Sequence, residues 1–98
     1  MNKFDVVIVG AGFTGLTAGY VLSKQGKKVH IVDVDDTPGG LAGTFDFDDG
    51  VKVEKFYHHW FNNDVYVPEL VKELGLEGDV ILLPTHTGMY FNGRLWKL

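Results

Sequence analysis

Three glycines with the spacing Gly-x-Gly-x-x-Gly directly follow an apolar run near the start of the chain, where Asp5 to Val9 reads as a strand. In a turn from a strand into a helix, the first glycine permits the tight bend and the second leaves room for a pyrophosphate. The third lets the helix pack on the strand. The helix N-terminus adds amide groups and the positive end of a dipole. We therefore predict that a dinucleotide is contacted by Gly10, Ala11, Gly12, Phe13, Thr14 and Gly15.

An acidic residue, Asp33, ends a second apolar run, Val29 to Val32, about 20 residues after the glycines. This is the position from which a carboxylate accepts hydrogen bonds from ribose hydroxyls. We predict that Asp33 and the adjoining Val34 contact the ribose. The alternative is a glycine-rich turn that binds no ligand, with Asp33 capping a loop.

The elements that must position these residues are a strand, a helix and a second, parallel strand. We expect the helix from about Thr14 to Lys24, ended by Gly26 in a left-handed conformation. Its sheet-facing stripe is expected to contain Leu16, Tyr20, Val21 and Leu22, with Ala18 and Gly19 keeping one face small. The nearly continuous apolar character of the second strand predicts cover on both faces.

The later part of the chain contains strong turn signals. Asp49-Gly50 predicts a hairpin over Phe45 to Glu54, and Asn92-Gly93 predicts another between Gly88–Phe91 and Arg94–Leu98. Between them, Pro68 can lie in the first turn of a helix that Gly75 stops, and Val80 to Leu83 predicts a short strand.

Composition narrows the function classes. A net charge of −4 gives no reason to expect nucleic acid as a partner, and the lack of cysteine excludes disulfides, a thiol nucleophile and thiolate-bound metal. The acidic residues 46, 48 and 49 alternate with aromatic ones, as on the solvated face of a hairpin, so no metal site is assigned. No apolar run has the length of a membrane span, and no signal peptide is recognisable, so the expected location is cytoplasmic.

The glycine turn, Asp33 and the segment Pro38-Gly39-Gly40-Leu41-Ala42-Gly43-Thr44-Phe45 together resemble the N-terminal part of a flavoprotein superfamily. The superfamily comprises flavin-containing amine oxidases, protoporphyrinogen oxidases, carotenoid desaturases and UDP-galactopyranose mutases. The resemblance implies an α/β fold, the start of a Rossmann-like FAD/NAD(P)-binding domain. Residues 1–98 would form part of that domain, with a βαβ core to about residue 45, then a hairpin, a short helix and the start of a second region.

Because an open dinucleotide-binding sheet usually has more parallel strands than the two recognised here, we expect the 98 residues to be an N-terminal portion of a larger protein. The resemblance implies an FAD-dependent oxidoreductase acting on a small-molecule substrate. The alternatives are a mutase-like enzyme that uses reduced flavin as a nucleophile, and a dinucleotide-binding module without catalysis. Oligomeric state cannot be predicted from this sequence.

The second glycine cluster has a physical role of its own, because backbone amides without side chains can closely approach phosphate oxygens or a ribityl chain. We predict that Gly40, Leu41, Gly43 and Thr44 contact the central part of the cofactor, the alternative being a surface loop.

Two departures from the family pattern bear on the choice of cofactor and of branch. Asp33 replaces the usual Glu and is typical of NAD sites, whereas Leu41 replaces the Arg of amine oxidases and disfavours that branch. The second glycine motif favours FAD over NAD.

An aromatic run containing two adjacent histidines, His58 and His59, follows the first hairpin. It resembles the segment that passes beside the flavin ring in mutase-like members, so His58 is a candidate cofactor contact. Adjacent residues on a strand point to opposite faces, and at most one of the two would face the ring. The alternative is an aromatic stretch that packs under the hairpin. No catalytic residue is assigned, and His30 in the second strand is interpreted as structural.

Overall fold

A computed structural model describes residues 3–84 and 86–98, which fall into two compact units that divide between His59 and Trp60. The first unit contains β1 (Val6–Val9), α1 (Phe13–Lys24), β2 (Val29–Val32), β3 (Thr44–Asp46) and β4 (Lys52–Glu54). The second contains α2 (Tyr66–Glu73), β5 (Gly88–Phe91) and β6 (Arg94–Lys97). Short 3₁₀ turns lie at Gly40–Ala42, Asp48–Gly50 and Glu77–Asp79.

The β1–α1–β2 unit confirms the sequence prediction. The two strands are parallel neighbours in the register Val6 to Val29 through Val9 to Val32, and α1 connects them. The helix ends at Gly26, whose φ is +78°. The N–H of Gly26 donates to the Ser23 carbonyl (2.9 Å) and that of Lys27 to the Leu22 carbonyl (3.1 Å). This is the Schellman arrangement that a C-terminal glycine favours.

Small residues allow α1 to pack closely on the sheet, as predicted for Ala18 and Gly19. Among the described residues only Ala11 and Gly19 are buried. A Cβ at Gly19 would lie 2.7 Å from Ile31 Cδ1, so this glycine sets the distance between helix and β2. Of the predicted stripe, Tyr20 and Leu22 are half-buried, whereas Leu16 and Val21 are 40% and 46% exposed. The helix packs against the strands through the face that carries Gly19, where the lack of a side chain leaves room for Ile8 and Ile31.

The β1–β2 sheet is covered on one face in the part of the chain that the structure describes. Alternate residues of each strand lie half-buried toward α1, whereas Val7 and Val9 on the other face are 58% and 85% exposed. Phe4 stacks on His30 at a ring distance of 4.6 Å. Within the described residues of the first unit only α1 packs on this sheet, so the cover predicted for both faces of β2 is seen there on one face.

Both predicted hairpins are present. β3 pairs antiparallel with β4, and Asp49 and Gly50 at the turn both have positive φ. β5 pairs antiparallel with β6 around Asn92 and Gly93, again with positive φ at both positions, as a type I′ turn requires. In each case a local turn signal was sufficient to identify the pairing.

The second helix, α2, includes Pro68 in its first turn and stops at Gly75, as predicted. The strand predicted at Val80 to Leu83 was wrong, since this run is not extended in a sheet. Ile81, Leu82 and Leu83 are each about three-quarters exposed, and within the described ranges no strand pairs with them. An apolar run becomes a strand only where a neighbour accepts its backbone hydrogen bonds.

Gly15 provides a test of the helix–turn contact. A Cβ there would lie 1.8 Å from the Gly10 carbonyl oxygen, and a backbone atom can relieve such a clash only by shifting the turn. We expect Gly15→Ala to lower the free energy of unfolding by about 1–3 kcal/mol, the usual range for overpacking. The measurement is urea unfolding followed by circular dichroism. Gly78→Ala is the control, because a Cβ at Gly78 meets nothing within 4 Å. Equal stabilities of the two variants would contradict the assigned packing role.

Candidate dinucleotide-binding site

The glycine turn lies between the end of β1 and the start of α1. Gly10 has a φ of +106°, which side-chain-bearing residues rarely adopt, and its N–H donates to the Val32 carbonyl at the end of β2 (2.7 Å). Gly12 is the N-cap of α1, in ordinary extended backbone and without a side-chain cap. The N–H groups of the first helical turn have no acceptor within the helix, so they are suited to an external anion.

The three glycines of the motif serve different purposes. Gly10 is required by its backbone conformation, and Gly15 by the carbonyl oxygen that a Cβ would strike. Gly12 is required by neither. A Cβ at this position would meet only Gly40 Cα, at 4.0 Å, so the protein itself has room for a side chain there. The missing side chain leaves open space beside the helix N-terminus.

Asp33 follows β2 and joins it to the glycine turn. Its Oδ2 accepts a hydrogen bond from the Ala11 N–H, and its Oδ1 accepts one from the Asp35 N–H at 2.9 Å. The hydrogen bonds from Asp35 and then Ala11 hold the pKa of this carboxyl below its usual value. The group is solvent-exposed and charged at neutral pH, and each carboxylate oxygen can still accept a further hydrogen bond.

The second glycine loop packs directly on the first. The Gly39 N–H donates to the Ala11 carbonyl (2.8 Å), and Gly12 and Gly39 form an isolated parallel bridge. A Cβ at Gly40 would lie 3.1 Å from Gly12 Cα. The amides of Ala42 and Gly43 donate to the carbonyls of Gly39 and Gly40 in a tight turn. These amides thus stabilise the loop itself.

A cleft of about 500 Å³ opens where the two loops meet. Several predicted site residues line it: Gly10, Gly12, Phe13, Thr14, Gly15 and Leu41. Other lining residues were not named as individual contacts, although Gly39 and Ala42 belong to the second glycine loop that was predicted to approach the cofactor: Ile8, Val9, Ala18, Gly39 and Ala42. The glycine pair at 39 and 40 was the signal that could have identified Gly39, since the first member of the pair makes the contact with the turn. The four side-chain-bearing residues of this second group contribute apolar wall, for which the sequence had no separate signal.

The remaining predicted residues lie around the cleft or away from it. Ala11 and Gly40 contribute to the contact between the two loops: Ala11 accepts the Gly39 N–H, and Gly40 lies against Gly12. Val34 is 97% exposed, and Thr44 begins β3 just after Gly43. His58 lies on an irregular segment rather than a strand, so the argument that His58 and His59 point to opposite faces does not apply. The His58 Nδ1 lies 2.8 Å from the Phe56 carbonyl, and its Nε2 lies 3.8 Å from Glu54 Oε1.

Neither helix in the described part of the chain has the length and apolar character that a membrane crossing requires. Within residues 3–84 and 86–98, no cluster of three or more histidine or acidic side chains is arranged to hold a metal ion.

Residues 8–74 match the family model described as "NAD(P)-binding Rossmann-like domain". An L-amino-acid oxidase of Daboia russelii is 31% identical to the chain over 98% of its length and 19% of the relative's. A probable flavin-containing monoamine oxidase A of Dictyostelium discoideum is 32% identical over 97% of the chain and 22% of the relative. A coproporphyrinogen III oxidase of Staphylococcus aureus is 30% identical over 89% and 19%.

The chain thus spans about a fifth of the length of these curated relatives. Two of them are named as amine or amino-acid oxidases and one as a coproporphyrinogen oxidase, at similar identities, so the expectation drawn from Leu41 about the branch stays a prediction. The matched region contains both glycine motifs, Asp33 and α2. This match extends over more than half of the chain, and the parallel β1–α1–β2 unit agrees with it. The chain therefore belongs to the NAD(P)-binding Rossmann-like domain family.

Proposed function

We propose that this chain is the nucleotide-binding part of an FAD-dependent oxidoreductase. The observation that carries the proposal is the open space at Gly12, where the protein's own packing does not require a glycine. The space lies in the cleft at the N-terminus of α1, where backbone amides favour an anion. A diphosphate needs both a close approach to backbone and such donors, and this site offers them together.

Different residues of the chain would contact different parts of the cofactor. Gly10, Gly12, Phe13, Thr14 and Gly15 would hold the pyrophosphate, and Asp33 would accept hydrogen bonds from the adenosine ribose, beside Val34. The loop from Gly40 to Thr44 would lie along the central linker. Ala11 serves the turn by its backbone. His58 is a candidate contact of the flavin end. When bound, FAD would supply the redox chemistry, hydride removal from a C–H or C–N bond of a small-molecule substrate.

Two features bear on the choice between FAD and NAD. Asp33 alone is typical of NAD sites. The second glycine loop, which packs on the first through Gly39 and Gly40, favours FAD, and so does a relative whose name specifies flavin. The deciding experiment is the visible absorption spectrum of the full-length protein as purified. The bands of oxidised flavin are expected, and a colourless protein that binds NADH would overturn the assignment.

Gly12→Val tests whether the open space is the pyrophosphate site. We expect affinity for FAD to fall by about 1–3 kcal/mol, the cost of forcing a side chain into occupied volume, which is roughly 5- to 150-fold in Kd. Gly12→Ala should cause a smaller loss. Gly12→Ala should remain folded, since the nearest atom to a Cβ there, apart from the adjoining residues, is Gly40 Cα at 4.0 Å, and the parallel unfolding measurement establishes whether Gly12→Val is folded.

The measurement is fluorescence titration with FAD, with unfolding followed in parallel. Gly78→Val is the control, because it makes the same change where a Cβ meets no atom within 4 Å. A folded Gly12→Val protein with full affinity would mean that the glycine turn is only a structural corner.

Asp33 predicts a pH dependence of stability. Hydrogen bonds from Asp35 and Ala11 lower the pKa of Asp33 in the folded protein. Its stabilising contribution is therefore fully present above the pKa that this carboxyl has in the unfolded chain, about 4. The contribution is lost as pH falls through the lower pKa of the folded state. In urea unfolding at a series of acidic pH values, wild type should therefore lose stability more steeply below about pH 4 than Asp33→Asn. Parallel profiles for the two proteins would contradict the hydrogen bonds assigned to Asp33.

A further inference from the structure

The peptide groups that flank Ala11, at the centre of the glycine turn, are held on both sides. Its N–H donates to Asp33 Oδ2, and its carbonyl accepts the N–H of Gly39 at 2.8 Å. Ala11 is only 8% exposed and stands between Gly10 and Gly12. Both partners come from the segment after β2, more than 20 residues away in sequence. The conformation of the turn therefore depends on side-chain and backbone groups outside the Gly-x-Gly-x-x-Gly motif.

We propose that Asp33 is a positioning residue for the phosphate-binding turn, in addition to any contact with ribose. The proposal rests on the proposed dinucleotide-binding function. The hydrogen bond from its N–H to Asp33 fixes the orientation of the Ala11 peptide group. Gly12 and the first turn of α1 come next in the chain, so their positions depend on that orientation. The anion then meets donors already in place, so less conformational entropy is lost on binding.

The two roles of Asp33 are compatible, because a carboxylate has about four acceptor sites. The N–H groups of Ala11 and Asp35 use one site on each oxygen, and that of Val34 also bonds the carboxylate, which leaves acceptor capacity for a ribose hydroxyl. A residue that bound only ribose would matter only for ligands that carry ribose hydroxyls. A residue that positions the turn matters for the diphosphate as well, and this difference can be measured.

Asp5 provides a matched control at the opposite end of the same two strands. Its Oδ2 accepts the backbone N–H of Lys28 at 2.8 Å, so it too links the β1 and β2 segments through a carboxylate. It lies before β1, whereas the glycine turn follows β1. Loss of the Asp5 bond should lower thermal stability without changing the turn.

The experiment is calorimetric titration of the full-length protein, in nucleotide-free form, with ADP and with 2′,3′-dideoxy-ADP, which lacks the ribose hydroxyls. Asp33→Ala should weaken binding of the dideoxy probe by about three- to tenfold, the loss expected for one hydrogen bond. Its effect on ADP should be larger, because ribose contacts are lost as well. Asp5→Ala should change neither affinity while lowering the melting temperature.

Asp33→Asn keeps one oxygen that can accept the Ala11 N–H, so it should bind the dideoxy probe to within about threefold of wild type. If Asp33→Ala does not fold, the affinity of Asp33→Asn for the dideoxy probe is the measurement that tests the role of the Ala11 hydrogen bond. Hydrogen exchange gives an independent readout: in Asp33→Ala the Ala11 amide should exchange faster, whereas the Lys28 amide, bonded to Asp5 Oδ2 at 2.8 Å away from the turn, should not.

Three results would overturn the positioning role: an unchanged affinity of Asp33→Ala for the dideoxy probe, equal weakening of that probe by Asp5→Ala, or failure of Asp33→Asn to restore it. Wild-type protein that binds neither ADP nor FAD would instead overturn the proposed function. The two failures are therefore distinguishable.

Discussion

The contact between two glycine-containing loops is the constraint on which the candidate site depends. Gly39 donates to the Ala11 carbonyl, and Gly40 approaches Gly12 so closely that a Cβ would lie 3.1 Å from its Cα. The contact between the loops is made by backbone groups, and the Asp33 carboxylate holds the other side of Ala11. The cleft exists because two backbones meet there without side chains between them.

The same motif contains glycines that the protein requires and one that it does not. Gly15 brings α1 onto the turn, since an added Cβ would strike the Gly10 carbonyl oxygen. Gly10 is required by its positive φ. Gly12 is free of both constraints, which is why it is informative about a ligand. Substitutions at Gly12 can therefore separate loss of binding from loss of folding, whereas substitutions at Gly15 combine the two.

Sequence was sufficient where the signal was local and insufficient where the outcome depended on a distant partner. Gly26, Asp49-Gly50 and Asn92-Gly93 identified a helix end and two hairpins, because turn conformation is determined by adjacent residues. Val80 to Leu83 was assigned as a strand although no described strand pairs with it. The spacing of the glycines and Asp33 predicted the site region, but the hydrogen bonds that unite it, from Ala11 to Asp33 and from Gly39 to Ala11, cross more than 20 residues of sequence.

The site also shows how binding and folding are coupled in so small a unit. Only Ala11 and Gly19 are buried among the described residues, and the face of the sheet that carries Val7 and Val9 is exposed. Apolar burial therefore contributes little to holding the carboxyl ends of β1 and β2 together, and the bonds of Asp33 and Gly39 gain in relative importance. A ligand that binds only the ordered turn stabilises that order by mass action. In the proposed function, the dinucleotide would complete an arrangement that Ala11, Asp33 and Gly39 have already formed.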